Sequence, residues 1–159
     1  MQIPFDAKRL DRLMDEAGMD VLLATSKHNV QYLLGGHRAF FFDYMDAMGL
    51  SRYLPVFVYP KGAPGKAAYY GHRLEGFQKE VAPFWVAEAQ TTSSGSVDVM
   101  QKAIDHIRKS GVKARRVEWD FGCCAGLFDD VEHDRTPANR RSIDGKMMGR
   151  IKAGRRPGP

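Results

Sequence analysis

Two stretches of the chain carry apolar residues at the spacing of an amphipathic helix, i, i+3, i+4 and i+7. In the first stretch these residues are Leu10, Leu13, Met14 and Ala17. In the second they are Met100, Ala103, Ile104 and Ile107. Asp6 and Ser96 stand where a side chain can cap each helix, and Gly18 and Gly111 stand where each should end. The pattern therefore predicts a helix near each end of the first 120 residues.

Short apolar runs between these helices predict strands. Residues 20–24 and 52–59 are almost continuously apolar, which is typical of strands that are covered on both faces of a sheet. Pro55 fits the second run near the start of a strand or at an edge. Residues 60–65 are a turn by composition, residues 67–70 form the other arm of the hairpin, and residues 84–86 and 116–119 form two further strands.

A brief helix over residues 28–34 should bury Val30, Leu33 and Leu34 and end at Gly35 and Gly36. Residues 37–43 predict either an extended strand or a loop that lines a site. The order is helix, strand, helix, hairpin, strand, helix, strand. This order favours an α/β domain with a mixed β-sheet flanked by helices over residues 1–120.

The end of the chain has a different composition. Residues 121–134 are atypical, and residues 135–159 are basic, contain Gly and Pro, and show no periodicity of helix or strand, so we expect them to be disordered. This tail holds eight Lys and Arg against a single acid, leaving 16 Lys and Arg against 18 Asp and Glu in residues 1–134. The net charge of +5 therefore belongs to the tail. Nucleic-acid binding would rest on the tail alone, and a solvated tail is favoured because it has no stacking aromatic residues.

Membrane and secretion signals are not found in the sequence. No apolar run reaches the ~18 residues that a transmembrane helix needs, and the first residues do not have the basic and then apolar order of a signal peptide. We expect a cytoplasmic protein. The adjacent cysteines, Cys123 and Cys124, do not have the spacing of a metal or redox motif, and they are interpreted as free thiols.

Candidate chemistry is sparse. No two of the five histidines have the i, i+4 spacing of helical metal ligands, and no nucleophile has an identifiable base, so neither a metal site nor a catalytic site is predicted. The segments most typical of a binding site combine basic and aromatic residues: His37, Arg38 and Phe40, and then His72 and Arg73. Either arginine can capture a carboxylate with its planar guanidinium. The alternative is a structural salt bridge, to Asp43 or Glu75.

Three segments together resemble a known family. They are residues 9–14 (RLDRLM), 18–26 (GMDVLLATS) and 29–36 (NVQYLLGG). Their order resembles the opening of creatinase, prolidase and aminopeptidase P, the Xaa-Pro peptidase or pita-bread family. Residues 69–76 and 95–98 are similar to one bacterial subgroup, and the resemblance extends over about residues 8–120.

The resemblance implies the fold of the family's N-terminal domain, a ribonuclease H-like mixed sheet with helices on both sides. That domain is non-catalytic, supports homodimers and contributes to access to the partner's active site. By position, the segment that reaches there contains His37, Arg38 and Phe40. The resemblance places catalysis in a separate domain, where peptidase members bind two divalent metals with two Asp, one His and two Glu, and creatinase uses no metal. No cofactor is expected in this chain.

We therefore expect a hydrolase fragment that precedes its catalytic domain and is inactive alone as a peptidase. After Asp120 the sequence departs from the family pattern, and Arg150 to Ala153 again resemble the entry to the family's linker helix. A frameshift, with the tail translated out of frame, is the hypothesis that this departure favours. The alternative is a stand-alone module that binds small carboxylates through Arg38 or Arg73.

Overall fold

A computed structural model describes residues 2–37, 55–112 and 114–119. The helices are α1 (Ala7–Ala17), α2 (Lys27–Leu33), α3 (Gln78–Val81) and α4 (Ser96–Lys109). The strands are β1 (Val21–Ala24), β2 (Val56–Pro60), β3 (Ala68–His72), β4 (Glu88–Ser93) and β5 (Val117–Trp119). Two short 3₁₀ helices, Pro64–Lys66 and Arg73–Glu75, flank β3. Within these ranges no helix is both long enough and apolar enough to cross a bilayer.

The five strands form one mixed sheet in the order β4-β3-β2-β1-β5. The strand β2 is antiparallel to both of its neighbours, β1 and β3, so β2 and β3 form the predicted hairpin. The outer pairs, β3 with β4 and β1 with β5, are parallel. The predicted α/β fold with a mixed sheet is confirmed.

Alternate residues of the inner strands enter two separate cores. Leu22 and Tyr59 pack on one face of the sheet, with residues of α1 and α2. Leu23 and Val58 pack on the other face, with α4. Because both faces are covered, every residue of β1, β2 and β3 is buried. This two-sided burial explains the continuous apolar run of β2. The strand begins at Val56, so Pro55 lies just before it rather than inside it.

The ends of α1 follow the predicted signals. The Asp6 carboxylate accepts a hydrogen bond from the Arg9 amide at 2.9 Å, and Gly18 ends the helix in the left-handed region with φ of 68°. The prediction that Ala17 faces the core was wrong, since Ala17 is exposed. The left-handed turn places Met19 there instead, where its amide donates to the Met14 carbonyl at 2.8 Å and its side chain is buried.

The predicted strand over residues 84–86 was also wrong. Phe84 and Val86 are buried in an irregular segment, and the Trp85 indole donates a hydrogen bond to the Leu33 carbonyl at 2.8 Å. Residues 84–86 are apolar because this connection between α3 and β4 packs onto α2, and not because it forms a strand. The strand β4 begins at Glu88 and is largely polar because it forms an edge of the sheet.

The start of α4 differs from the prediction by one residue. The cap position is Gly95, without a side-chain hydrogen bond, and Ser96 is the first helical residue. The four predicted inward residues are all buried, as is Val99. The helix is followed by Gly111 with φ of 66°, as predicted.

Some predictions fall on residues outside those that the structure describes. They are the segment 38–43, the first part of the predicted strand 52–59, residues 121–134 with Cys123 and Cys124, and the tail 135–159. These stay predictions.

Asp20 connects three strands where they begin or end. Its Oδ2 accepts hydrogen bonds from the amides of Arg115 and Arg116 at 2.9 and 3.0 Å. Its own amide donates to the Arg116 carbonyl, and its carbonyl accepts from the Lys61 amide, both at 2.9 Å. Asp20 thereby joins the start of β1 to the end of β2 and to the start of β5.

We predict that Asp20→Ala lowers the free energy of unfolding by about 2 kcal/mol, because two backbone amides lose their charged acceptor. The matched control is Asp15→Ala, since Asp15 makes an exposed ion pair with Lys61 at 2.8 Å. That change should cost no more than about 0.5 kcal/mol. Urea denaturation of the two variants checks the prediction, and equal losses would contradict it.

Candidate functional site

Three of the five predicted site residues lie within the described ranges; His72 and Arg73 are adjacent at the end of β3, and His37 packs against Tyr69 of the same strand. His37 follows α2, while His72 and Arg73 stand where β3 passes into the short helix Arg73–Glu75. Arg38 and Phe40 lie outside the described residues. We call the group at this end of the sheet the β3-end cluster; its members are His37, Tyr69, His72, Glu75 and Phe84.

His37 reaches the cluster because the chain turns sharply after α2. Gly35 and Gly36 have φ of 79° and 99°, and a Cβ atom on Gly35 would lie 3.0 Å from the Cβ of Pro4. The imidazole then packs edge-on against Phe84, with ring centroids 4.7 Å apart, and lies 6.3 Å from the Tyr69 ring. Its Nε2 is buried without a hydrogen-bond partner among the described residues. Burial lowers the pKa of His37, so the neutral imidazole is favoured.

Glu75 is the carboxylic acid of the cluster and is almost fully buried, with 1% of the residue exposed. Its Oε2 accepts a hydrogen bond from the Tyr69 hydroxyl at 2.7 Å, while its Oε1 is buried without a described partner. Burial raises the pKa of Glu75 and outweighs the opposing hydrogen bonds from Tyr69 and from the His72 backbone. The protonated carboxyl is therefore stabilised, and it brings a hydroxyl donor into an otherwise apolar core.

Gly71 makes room for this pair. A Cβ atom there would lie 2.6 Å from Glu75 Oε2 and 3.0 Å from the Tyr69 hydroxyl oxygen. Since both atoms belong to a buried hydrogen bond, any larger residue would displace it. A glycine is therefore required at position 71 because the Glu75 and Tyr69 side chains approach it closely. Backbone conformation does not require it, since φ of Gly71 is not positive.

His72 and Arg73 differ in their environments although they are adjacent. His72 is buried, and its Nδ1 accepts a hydrogen bond from the Leu74 amide at 3.2 Å. Burial lowers the pKa of His72, and the neighbouring Arg73 lowers it further. Arg73 is exposed. Within the described residues, Arg73 and Glu75 do not form the alternative salt bridge. The Glu75 carboxyl instead points inward and accepts a hydrogen bond from Tyr69.

Sequence reasoning missed the two central members of the cluster. Tyr69 was not singled out as a site residue, and Glu75 was considered only as a salt-bridge partner for Arg73. The available signal was Gly71, a glycine inside β3 that follows Tyr69 and precedes Glu75 by four positions. Such a glycine often marks a close approach by another group.

Chemically, the cluster offers a buried hydrogen bond between Tyr69 and Glu75 and an imidazole that packs edge-on against Phe84. Among residues 2–37, 55–112 and 114–119, no three His, Cys, Asp or Glu side chains are grouped so that they could hold a metal ion. Within these ranges the cluster provides hydrogen bonds and aromatic ring contacts.

Comparison with family models finds no match, and no curated protein is similar in sequence. Two solved structures share the fold. Aminopeptidase P (Xaa-Pro aminopeptidase) from Streptococcus thermophilus superposes with a TM-score of 0.59 at 11% identity, covering 91% of this chain and 94% of that chain. Dipeptidase PepE from Mycobacterium ulcerans gives 0.53 at 15% identity, covering 92% of this chain and 35% of that chain. At these identities the similarity confirms the predicted fold.

We predict that Glu75→Gln changes the pH dependence of stability. Because the pKa of Glu75 is above its ordinary value of 4.5, the native protein binds more protons than the unfolded chain between these two values. The contribution of Glu75 is therefore largest below 4.5 and is lost as the pH rises through its native pKa. Glutamine does not titrate, so the variant should gain stability relative to wild type as the pH rises through this window. Chemical denaturation across the window measures the difference.

Glu80→Gln is the control, since Glu80 is exposed on the neighbouring helix α3. The titration of His37 and His72 is common to wild type and both variants, so it cancels in the comparison. A difference between Glu75→Gln and wild type that stays constant with pH would show that Glu75 is not held protonated.

Proposed function

We propose that the described domain is the non-catalytic N-terminal domain of an Xaa-Pro peptidase or creatinase-like hydrolase. The observation that carries this proposal is the fold shared with aminopeptidase P over 91% of this chain and 94% of that chain. A similar fold occupies 35% of dipeptidase PepE, which supports a domain that is one part of a longer enzyme. The order of the segments 9–14, 18–26 and 29–36 supports the same assignment.

In this proposal the chemistry belongs to a separate catalytic domain, and two divalent metals bind there if the parent enzyme is a peptidase. The part assigned to the described domain is access to the active site. The β3-end cluster supports that part, because it holds His37 against Phe84 and Tyr69 where the chain leaves α2. The next residues include Arg38 and Phe40, which we propose line the mouth of the partner's active site.

The second role in the proposal is dimerisation. After β3, three large apolar residues are exposed: Leu74 in the second 3₁₀ helix, Phe77 at the N-cap of α3 and Val81 at the end of α3, with 48%, 50% and 73% of each residue exposed. We call them the α3 apolar face. Exposed apolar residues grouped in this way are typical of a surface that contacts another protein.

We predict that the chain self-associates and that Phe77→Ser weakens this association by about tenfold or more, as expected for loss of a central aromatic contact. Val97→Ser is the matched control, because Val97 is 67% exposed at the start of α4 and outside the α3 apolar face. Sedimentation velocity over a range of concentrations gives the association constants. A clean monomer at high concentration, or equal weakening by both variants, would count against this surface.

The assignment to a hydrolase is tested at the gene. The coding sequence from codon 110 onward, with the DNA downstream of it, should be determined and translated in all three frames. A frame that continues into a domain with two Asp, one His and two Glu in the family's ligand order supports the proposal. Downstream DNA that encodes no such domain in any frame would contradict it.

A stand-alone module for small carboxylates is the second candidate, favoured by the exposure of Arg73. If this function holds, acetate and pentanoate should both bind, and Arg73→Gln should abolish binding because the bidentate donor is lost. Isothermal titration calorimetry measures this, with Lys8→Gln, a change of the same charge on α1, as the control. Wild-type protein that binds neither acid removes the second candidate and leaves the first intact.

A further inference from the structure

A cleft of about 290 Å³ lies between α4 and the β3 and β4 edge of the sheet. It is on the face opposite the β3-end cluster, because Tyr69 and Tyr70 are successive residues of β3 and enter different cores. The residues that line it include Tyr70, Glu88, Asp105 and Lys109. The cleft has no part in the function proposed above.

Tyr70 is deeply set in this cleft, with 2% of the residue exposed. Burial raises the pKa of its hydroxyl, and the Glu88 and Asp105 carboxylates raise it further, so the phenol stays protonated. Its ring lies 6.0 Å from that of His106, whose Nε2 is 2.9 Å from the Lys66 carbonyl oxygen. This contact orients the imidazole beside the phenol.

Two carboxylates give this part of the cleft its charge. Glu88 is held by the Gln90 amide at 2.6 Å. Asp105 Oδ1 accepts a hydrogen bond from the Gln101 side chain at 3.1 Å and lies 3.7 Å from a nitrogen of Arg108. Both groups facing Asp105 are on the exposed side of α4, and a long ion pair there contributes little. A cation entering the cleft would therefore find two carboxylates and a hydroxyl oxygen.

The two lysines of the cleft differ. Lys102 is already engaged by Asp98 at 3.2 Å and by the Ser93 and Thr92 hydroxyls at 3.0 and 3.2 Å. Lys109 makes no ion pair with the residues that the structure describes. Lys109 stands four residues after Asp105 on the same face of α4. The rise of the helix places the Cα atoms of these two residues about 6 Å apart along the helix axis.

We propose that this cleft binds a small zwitterion whose ammonium and carboxylate groups lie about 6 Å apart. The ammonium contacts Asp105 and the Tyr70 hydroxyl, and the carboxylate contacts Lys109. In a single α-amino acid two bonds of about 1.5 Å separate the charged groups, which is too short for this spacing. An ω-amino acid with four methylene groups spans about 6 Å when extended.

The probe is 5-aminopentanoate, titrated into the ¹⁵N-labelled chain and followed through the backbone amide resonances. Resonances of β3, β4 and α4 should shift, with a Kd of about 1 to 10 mM for a ligand of this size. Pentylammonium, pentanoate and glycine are the matched probes, because they lack the carboxylate, the ammonium and the spacing, respectively. Each should bind at least about fivefold more weakly.

Tyr70→Phe and Lys109→Gln test the two ends separately. The first keeps the ring and removes the hydroxyl, and the second removes a surface charge, so both variants should fold. Each should weaken 5-aminopentanoate binding by about five- to tenfold, the range for one lost polar contact. Lys8→Gln, which removes the same charge from α1, should leave binding unchanged.

Three results would overturn the proposal: no shift of the cleft resonances with 5-aminopentanoate, equal binding of pentylammonium and the zwitterion, or equal weakening by Lys8→Gln and Lys109→Gln. The outcome is separate from that of the proposed function, because the cleft requires an ammonium group and Tyr70. The carboxylate module described above requires Arg73.

Discussion

The burial of the sheet on both faces is the constraint on which the rest of the structure depends. The inner strands have no solvent-facing side, so helices must cover both surfaces, α1 and α2 on one and α4 on the other. The strands β4 and β5 lie at opposite edges of the sheet, and α4, which connects them along the chain, covers one face. Asp20 connects the backbone at the junction of β1, β2 and β5: its carboxylate binds the amides before β5, and its carbonyl binds the amide after β2.

Against that apolar background, the Tyr69–Glu75 pair stands out as a buried polar contact at the end of β3. A carboxyl in this position destabilises the fold when it is ionised, and an apolar residue would avoid that cost. The pair lies beside His37, since Tyr69 contacts the His37 ring, and Gly71 leaves the space that the hydrogen bond occupies. The buried Tyr69–Glu75 pair thus links the stability of the core to the position of His37, which precedes the segment proposed for active-site access.

The parts of the fold that the sequence predicts are those with a local physical cause. Leu10, Leu13 and Met14 define α1 by period, and the apolar run of β2 reflects cover on both faces. The segment 84–86 was predicted wrongly because apolar content reports burial and not backbone conformation. The strand β4 was missed because an edge strand needs no apolar run. Glu75 was missed for another reason: Gly71 indicates a close approach by some group, but the turn after β3 determines that this group is the Glu75 carboxyl.

The two outer strands also determine how copies of this chain can meet. An exposed strand edge is a template on which a second sheet can continue, and such growth leads to aggregates. Here one edge is the largely polar β4, and the other is β5, which has three residues and includes Glu118. Neither edge is the long, flat, apolar strand that promotes open-ended pairing. The association proposed for the α3 apolar face would therefore not require these strand edges, which separates the proposed assembly from edge-to-edge aggregation.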